Sequence, residues 1–214
     1  MGALAYLLSL LLKDLFSNNN NITRGFLIEE VKAFKLEHVD TVVDIGCQNG
    51  LYSRVVAHVY PNIFFKLEDL EQFSLKKVNT TKYINYKTSE ELKKTLINSD
   101  YAPNIKNRYQ FIAGKEDSIP LQTSSCKRIL CRKTLHEFKE KQKMVNEMIR
   151  VLAPNGILTI AEPEPIVLNQ IDANCNNKYL TKEDVLALFT GLKNVDIKTI
   201  KYPKGNMILY DFSK

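Results

Sequence analysis

The sequence has no apolar run long enough to span a bilayer. Its longest, Ala3–Leu12, is ten residues interrupted by Ser9, about half of the ~20 that a membrane-crossing helix requires. A positively charged stretch before this run and a small-residue cleavage pattern after it are both missing, so it reads as a helix rather than a signal peptide; the expected compartment is cytoplasmic, with export or membrane association through this segment as the alternatives. The four cysteines, Cys47, Cys126, Cys131 and Cys175, include no C-x-x-C pair and have no histidine at local zinc-ligand spacing. This argues against a zinc site or redox motif, so the cysteines are read as reduced thiols and no metal is expected. Low-complexity tracts are absent as well. With 44% hydrophobic and 25% charged residues in a chain of 214, wholesale disorder, collagen and coiled coil are excluded.

Thirty Lys and Arg against twenty-four Asp and Glu leave a net charge of +6, which favours attraction to phosphates or acidic partners. The basic groups are short and scattered, however: Lys76-Lys77, Lys93-Lys94 and Lys139/Lys141/Lys143. This is the pattern of solvated faces rather than of a nucleic-acid footprint, so nucleic acid is disfavoured as a partner. Near the amino terminus Leu4, Leu8, Leu11, Leu12 and Leu15 recur at helical spacing before the polar break Asn18–Asn21. Residues 1–23 therefore read as a helical extension and residues 24–214 as one domain.

Within that domain short apolar runs alternate with amphipathic stretches, as expected of helices crossing over a parallel sheet. The run Thr41–Ile45, the glycine turn at Gly46 and the helical spacing of Val55, Val56 and Val59 make a strand, turn and helix. Further strands are predicted at Ile63–Leu67, Tyr109–Ala113, Arg128–Cys131 and Ile157–Ala161. Ser89–Ile97 reads as a charged helix inside an insertion, Lys76–Arg108, and Val145, Met148, Ile149 and Leu152 as a helix face stopped by Pro154-Asn155-Gly156. Thr181 and Asp184 have capping-box spacing. The chain closes with Val195–Ile200, the turn Pro203-Lys204-Gly205-Asn206 and Met207–Phe212. A turn that short forces the last strand to run antiparallel, because parallel strands need a long crossover.

Open parallel sheets bind ligands beyond the carboxyl ends of their strands. The strongest candidate there is Val42-Val43-Asp44-Ile45-Gly46-Cys47-Gln48-Asn49-Gly50. Gly46 and Gly50 let the main chain turn sharply and approach a ligand, while Asp44 offers two acceptor oxygens to a cationic or hydroxyl-bearing group. Counted from Gly46, the dinucleotide fingerprint G-x-G-x-x-G fails at Gln48 and Leu51, which disfavours a nicotinamide dehydrogenase.

These residues resemble the first motif of the class I S-adenosylmethionine-dependent methyltransferases, with Asp44, Gly46 and Gly50 in place. Leu67-Glu68-Asp69-Leu70 is similar to the family's acidic second motif, Ala113–Leu121 to its third, Ile129–Phe138 to its fourth, and Arg150–Leu158 to the lead into its fifth strand. The resemblance spans residues 38–214 and implies a Rossmann-like α/β fold: a seven-stranded, mostly parallel sheet with an antiparallel last strand and helices on both faces. It also implies S-adenosyl-L-methionine as cofactor. Glu68 or Asp69 would accept the ribose hydroxyls, Lys115 and Glu116 would lie near the adenine, and Asp44, Gly46, Cys47, Gln48 and Gly50 would surround the methionine end. Cys131-Arg132 would pass below the sulfonium.

Two departures stand out. Gln48 replaces the middle glycine of the first motif, and Lys115 stands where family members often carry an acid. His136 is a weak candidate for a base, ahead of Glu137 and Tyr6, although methyl transfer can proceed by positioning alone. Cys131, on an apolar strand, is expected to be inert. The expected activity is methylation of a small-molecule acceptor, with a non-catalytic binding module and an RNA methyltransferase as alternatives. Acceptor contacts are expected from Met1–Thr23, Lys76–Arg108 and Glu162–Tyr179, and no motif marks the acceptor or the oligomeric state.

Overall fold

In the computed structural model the described residues are 24–47, 52–53, 56, 60, 62–70, 109–202 and 205–214. The expected amino-terminal helix, the charged helix Ser89–Ile97, Gln48 and Gly50 lie outside them. The first element is helix α1 (Arg24–Ala33). Strands β1 (Thr41–Ile45), β2 (Phe64–Leu70), β3 (Tyr109–Gly114) and β4 (Cys126–Arg132) follow. Then come helix α2 (Lys141–Val151), β5 (Leu152–Pro163), helix α3 (Lys182–Leu188), β6 (Lys193–Tyr202) and β7 (Gly205–Ser213). The strands form one seven-stranded sheet in the order β3-β2-β1-β4-β5-β7-β6. Neighbours among β1 to β5 run parallel, whereas β7 lies antiparallel to both β5 and β6. The mostly parallel sheet and its antiparallel ending match the sequence-based expectation.

Alternation along the strands builds a core on each face. Val42 points to the side where Val31 and Phe34, from α1 and the turn after it, pack with Phe65, Leu67 and Leu209. Val43 and Ile45 point to the other side, against Met144, Val145 and Met148 of α2 and Val185 of α3. Helices therefore cover both faces. Thr181 caps α3 as its spacing predicted: its side chain accepts from the Asp184 amide at 3.1 Å, and the Asp184 carboxylate accepts from the Thr181 amide at 2.9 Å.

One boundary differs from the sequence reading. Leu152, expected on the helix face, is the first residue of β5 and pairs with Cys126. From there to the Arg128–Ile157 pair, β4 advances two residues while β5 advances five, so Pro154-Asn155-Gly156 forms an irregular loop within the ladder. Asn155 takes the left-handed backbone conformation there, at φ 59°, which asparagine tolerates better than most residues. No helix among the described residues is long and apolar enough to cross a membrane.

Candidate active site

The order of the sheet brings the carboxyl ends of β1 and β2 side by side, since Ile45 pairs with Glu68. Gly46 turns the chain immediately after β1 at φ 69°, a region costly for side chains other than glycine. A Cβ at this position would also stand 2.1 Å from Thr134 Cγ2. The Gly46 and Cys47 amides donate to the Glu68 carbonyl at 2.9 and 3.1 Å. These two N–H groups fix the turn and are committed to β2, so they are not presented to a ligand.

A crevice opens over this turn. Gly46, Glu68, Asp69 and Thr134 line one part of it, and Lys115, Glu116, Glu137 and Lys139 contribute to the remainder. Lys139 pairs with Glu116 at 3.4 Å. Glu68 is buried, with its carboxylate against the backbone of β3: a Cβ added at Gly114 would lie 1.5 Å from Glu68 Oε1. Asp44 is buried beside the crevice and accepts a hydrogen bond from the Ser53 hydroxyl.

Acid chemistry dominates here. Burial pushes Asp44 up to about 7; Asp69 adds to the rise, while the Ser53 hydrogen bond and Arg132 oppose it. Burial likewise pushes Glu68 up to about 8, with Asp69 and Asp44 adding to the rise and a Gly46 hydrogen bond opposing it. Three carboxyl groups on two adjoining strand ends thus repel one another in a desolvated place. Cys47 and Cys131 are buried thiols whose pKa values burial raises well above the usual range, so neither is set up as a nucleophile.

Two further residues from the sequence reading lie away from this crevice. Arg132 turns from the tip of β4 toward α1, where its Nε contacts Glu30 Oε1 at 2.5 Å and its Nη2 contacts Oε2 at 3.1 Å. Its guanidinium lies 4.0 Å from the centroid of the Tyr52 ring. The hydroxyls of Tyr52 and Tyr202 also donate to Glu30. Burial alone would raise the Glu30 pKa, but Arg132 and these hydrogen bonds more than offset that and hold it below the usual range. His136, on a single helical turn after β4, is 1% exposed and does not reach the crevice wall. Its Nδ1 is 2.6 Å from Glu162 Oε2, while Glu162 Oε1 accepts from the Leu135 amide at 2.8 Å.

A family model described as a methyltransferase domain matches residues 36–202. The chain belongs to this methyltransferase family. It is similar to a SAM-dependent methyltransferase from Aquifex aeolicus, with 17% identity over 88% of this chain and 89% of that one and a TM-score of 0.63. It is similar also to 1,6-didemethyltoxoflavin-N1-methyltransferase from Burkholderia thailandensis, solved with 1,6-didemethyltoxoflavin and S-adenosylhomocysteine bound. That likeness has 16% identity over 94% and 81% of the two chains and a TM-score of 0.64. A third similar structure is the mitomycin 7-O-methyltransferase MmcR, with 13% identity over 89% of this chain and 54% of that one and a TM-score of 0.62. No curated protein matches the sequence. At these identities the structural likenesses establish the fold, and the family match establishes a methyltransferase that uses S-adenosylmethionine.

The methyltransferase's own residues fit such a cofactor. S-adenosylmethionine carries a sulfonium, an ammonium and a ribose diol, and a cluster of acids is the complementary set of negative charges and hydrogen-bond acceptors. Among the residues expected from sequence, the fold brings Gly46, Glu68, Asp69, Lys115 and Glu116 to one crevice and leaves Asp44 buried next to it. Ser53, Thr134 and Phe138 were not anticipated as site residues. Ser53 is on the helical stretch after the glycine turn, and Thr134 and Phe138 flank the short helical turn after β4, so the motifs carried their positions but not their contacts.

Proposed function

We propose that this methyltransferase transfers the methyl group of S-adenosylmethionine to a small-molecule acceptor, with the cofactor lying over the tips of β1 and β2. The observation carrying this reading is the convergence of Asp44, Glu68 and Asp69, two of them with burial-raised pKa values, on one edge of the sheet. When bound, the cofactor supplies an electrophilic methyl group on a sulfonium. Glu68 and Asp69 are the acceptors for the ribose hydroxyls, and Lys115 and Glu116 border the adenine. Asp44 provides negative charge for the methionine end, supported by Ser53. The Gly46 and Cys47 amides are already engaged with β2 and are not assigned to the cofactor's carboxylate.

Methyl transfer from a sulfonium is an in-line displacement that alignment of donor and acceptor can accelerate by several orders of magnitude. No proton transfer is assigned to His136, which is enclosed behind the crevice. The small-molecule acceptor is supported by the lack of a concentrated basic surface in the sequence. Two similar enzymes, named for didemethyltoxoflavin and mitomycin, point the same way. The purified enzyme should be incubated with methyl-labelled cofactor and a cell extract, then separated by ultrafiltration. Label in the small-molecule filtrate, lost with Glu68→Gln/Asp69→Asn, is the expected result. Label confined to RNA or protein, or no release of S-adenosylhomocysteine, would refute the assignment.

A further inference from the structure

Beyond the crevice, His136, Asp172 and Cys175 come together, with one donor atom from each lying within 4.8 Å of the others. His136 follows β4, whereas Asp172 and Cys175 share a tight loop between β5 and α3. The loop is closed by Asp172 N donating to Asn177 O at 2.8 Å and Asn176 N donating to Asp172 O at 2.8 Å. His136 Nε2 is buried without a hydrogen-bond partner, and it stands 3.6 Å from Asp172 Oδ2, beyond hydrogen-bonding reach.

We propose that these three side chains form a site for a divalent transition metal of the zinc type, bound by His136 Nε2, an Asp172 carboxylate oxygen and Cys175 Sγ. Thiolate, imidazole and carboxylate together suit zinc, and three protein ligands leave a fourth position for water. A tetrahedral zinc sets such donor atoms roughly 3.3–3.5 Å apart. The His136–Asp172 spacing of 3.6 Å is already close to that, and all three donor atoms lie within 4.8 Å of one another.

The surrounding hydrogen bonds prepare the donors. Glu162 at 2.6 Å from Nδ1 holds a proton on that nitrogen and leaves the lone pair of Nε2 free to ligate, the carboxylate–histidine arrangement that orients metal-bound imidazoles. Asp172 is oriented by the Tyr179 hydroxyl at 2.7 Å and the Asn174 amide at 2.6 Å. Glu162, Glu137 and Asp172 surround the imidazole with negative charge, partly offset by the Lys133 ammonium, which also faces Asp172 and Glu162. Metal here ties the loop to the turn whose next residue, Glu137, lines the crevice. Asn177 Nδ2 donates to the Glu137 carbonyl at 3.4 Å along the same wall.

The full chain, stripped with chelator under reducing conditions, should be titrated with zinc and, separately, with cobalt(II). The expected result is about one zinc per chain and a cobalt spectrum with tetrahedral d–d bands and a thiolate-to-metal charge-transfer band. Cys175→Ser should abolish the charge-transfer band, and Glu162→Gln should weaken zinc about 10–100-fold. Cys175 is partly exposed, so Cys175→Ser tests the ligand set with little risk to folding, and an unchanged melting temperature of the metal-free variant serves as the folding control. Absence of zinc uptake, a cobalt spectrum without the thiolate band, or zinc binding retained in Cys175→Ser would overturn the site. None of these readouts depends on methyl transfer, so the two proposals fail separately.

Discussion

Cofactor binding should strengthen as pH rises through neutrality. In the folded chain Asp44 sits at about 7 instead of its ordinary 3.8, and Glu68 at about 8 instead of 4.5. The ligand's ammonium selects the ionised form of Asp44, so binding near pH 6 must first expel protons. For Asp44 alone the ionised fraction grows from roughly one eleventh at pH 6 to one half at pH 7, an affinity gain of about fivefold. Glu68 steepens the slope if it meets the ribose as a carboxylate. Calorimetric titration with S-adenosylhomocysteine in two buffers of different protonation enthalpy reads both affinity and protons released. Asp44→Asn should flatten the profile, and adding Glu68→Gln should remove most of what remains. An affinity independent of pH, or a slope unchanged in the double variant, would show that these acids do not meet the cofactor. The same shifts predict the stability of the free protein. Between about pH 4 and pH 8 the folded chain holds protons that the unfolded chain has released, so stability to denaturant falls as pH rises through this window.

Three other outcomes follow from the packing. Gly46→Ala places a side chain in left-handed backbone and against Thr134, and should cost about 1–3 kcal/mol from backbone strain alone. Denaturant melts should show part of the loss recovered when Thr134→Ser removes the clashing methyl, and no recovery would refute the contact. Gly114→Ala meets the Glu68 carboxylate rather than backbone, so it should weaken cofactor binding more than it lowers the melting temperature; the reverse order would contradict the placement of Glu68. Breaking the buried Glu30–Arg132 pair with either single alanine should cost about 3–5 kcal/mol. The double variant should lose much less than the sum, and additive losses in a double-mutant cycle would show that the pair is not coupled.

The sheet was legible because its signals are local: β-branched runs mark β1 and β5, and the short turn before β7 forces the antiparallel ending. The acidic strand tips were legible for the same reason, as Asp44 and the Glu68-Asp69 pair stand at the ends of apolar runs. Long-range partnerships were not. Arg132 meets Glu30 across 102 residues, and no sequence spacing announces that its guanidinium turns toward α1 instead of the methyl donor's side. His136 and Cys175 are far apart in the chain, and only the return of the loop after β5 brings their donor atoms together. Leu152 kept the helical period of α2, yet Pro154 two residues on disfavours helix at the preceding position and the chain extends into β5.

A crystal structure of the enzyme with S-adenosylhomocysteine should show adenosine density across the crevice above Gly46, with both ribose hydroxyls on Glu68 or Asp69. Density at another edge of the sheet, or those acids remaining in contact with protein atoms alone, would contradict this placement.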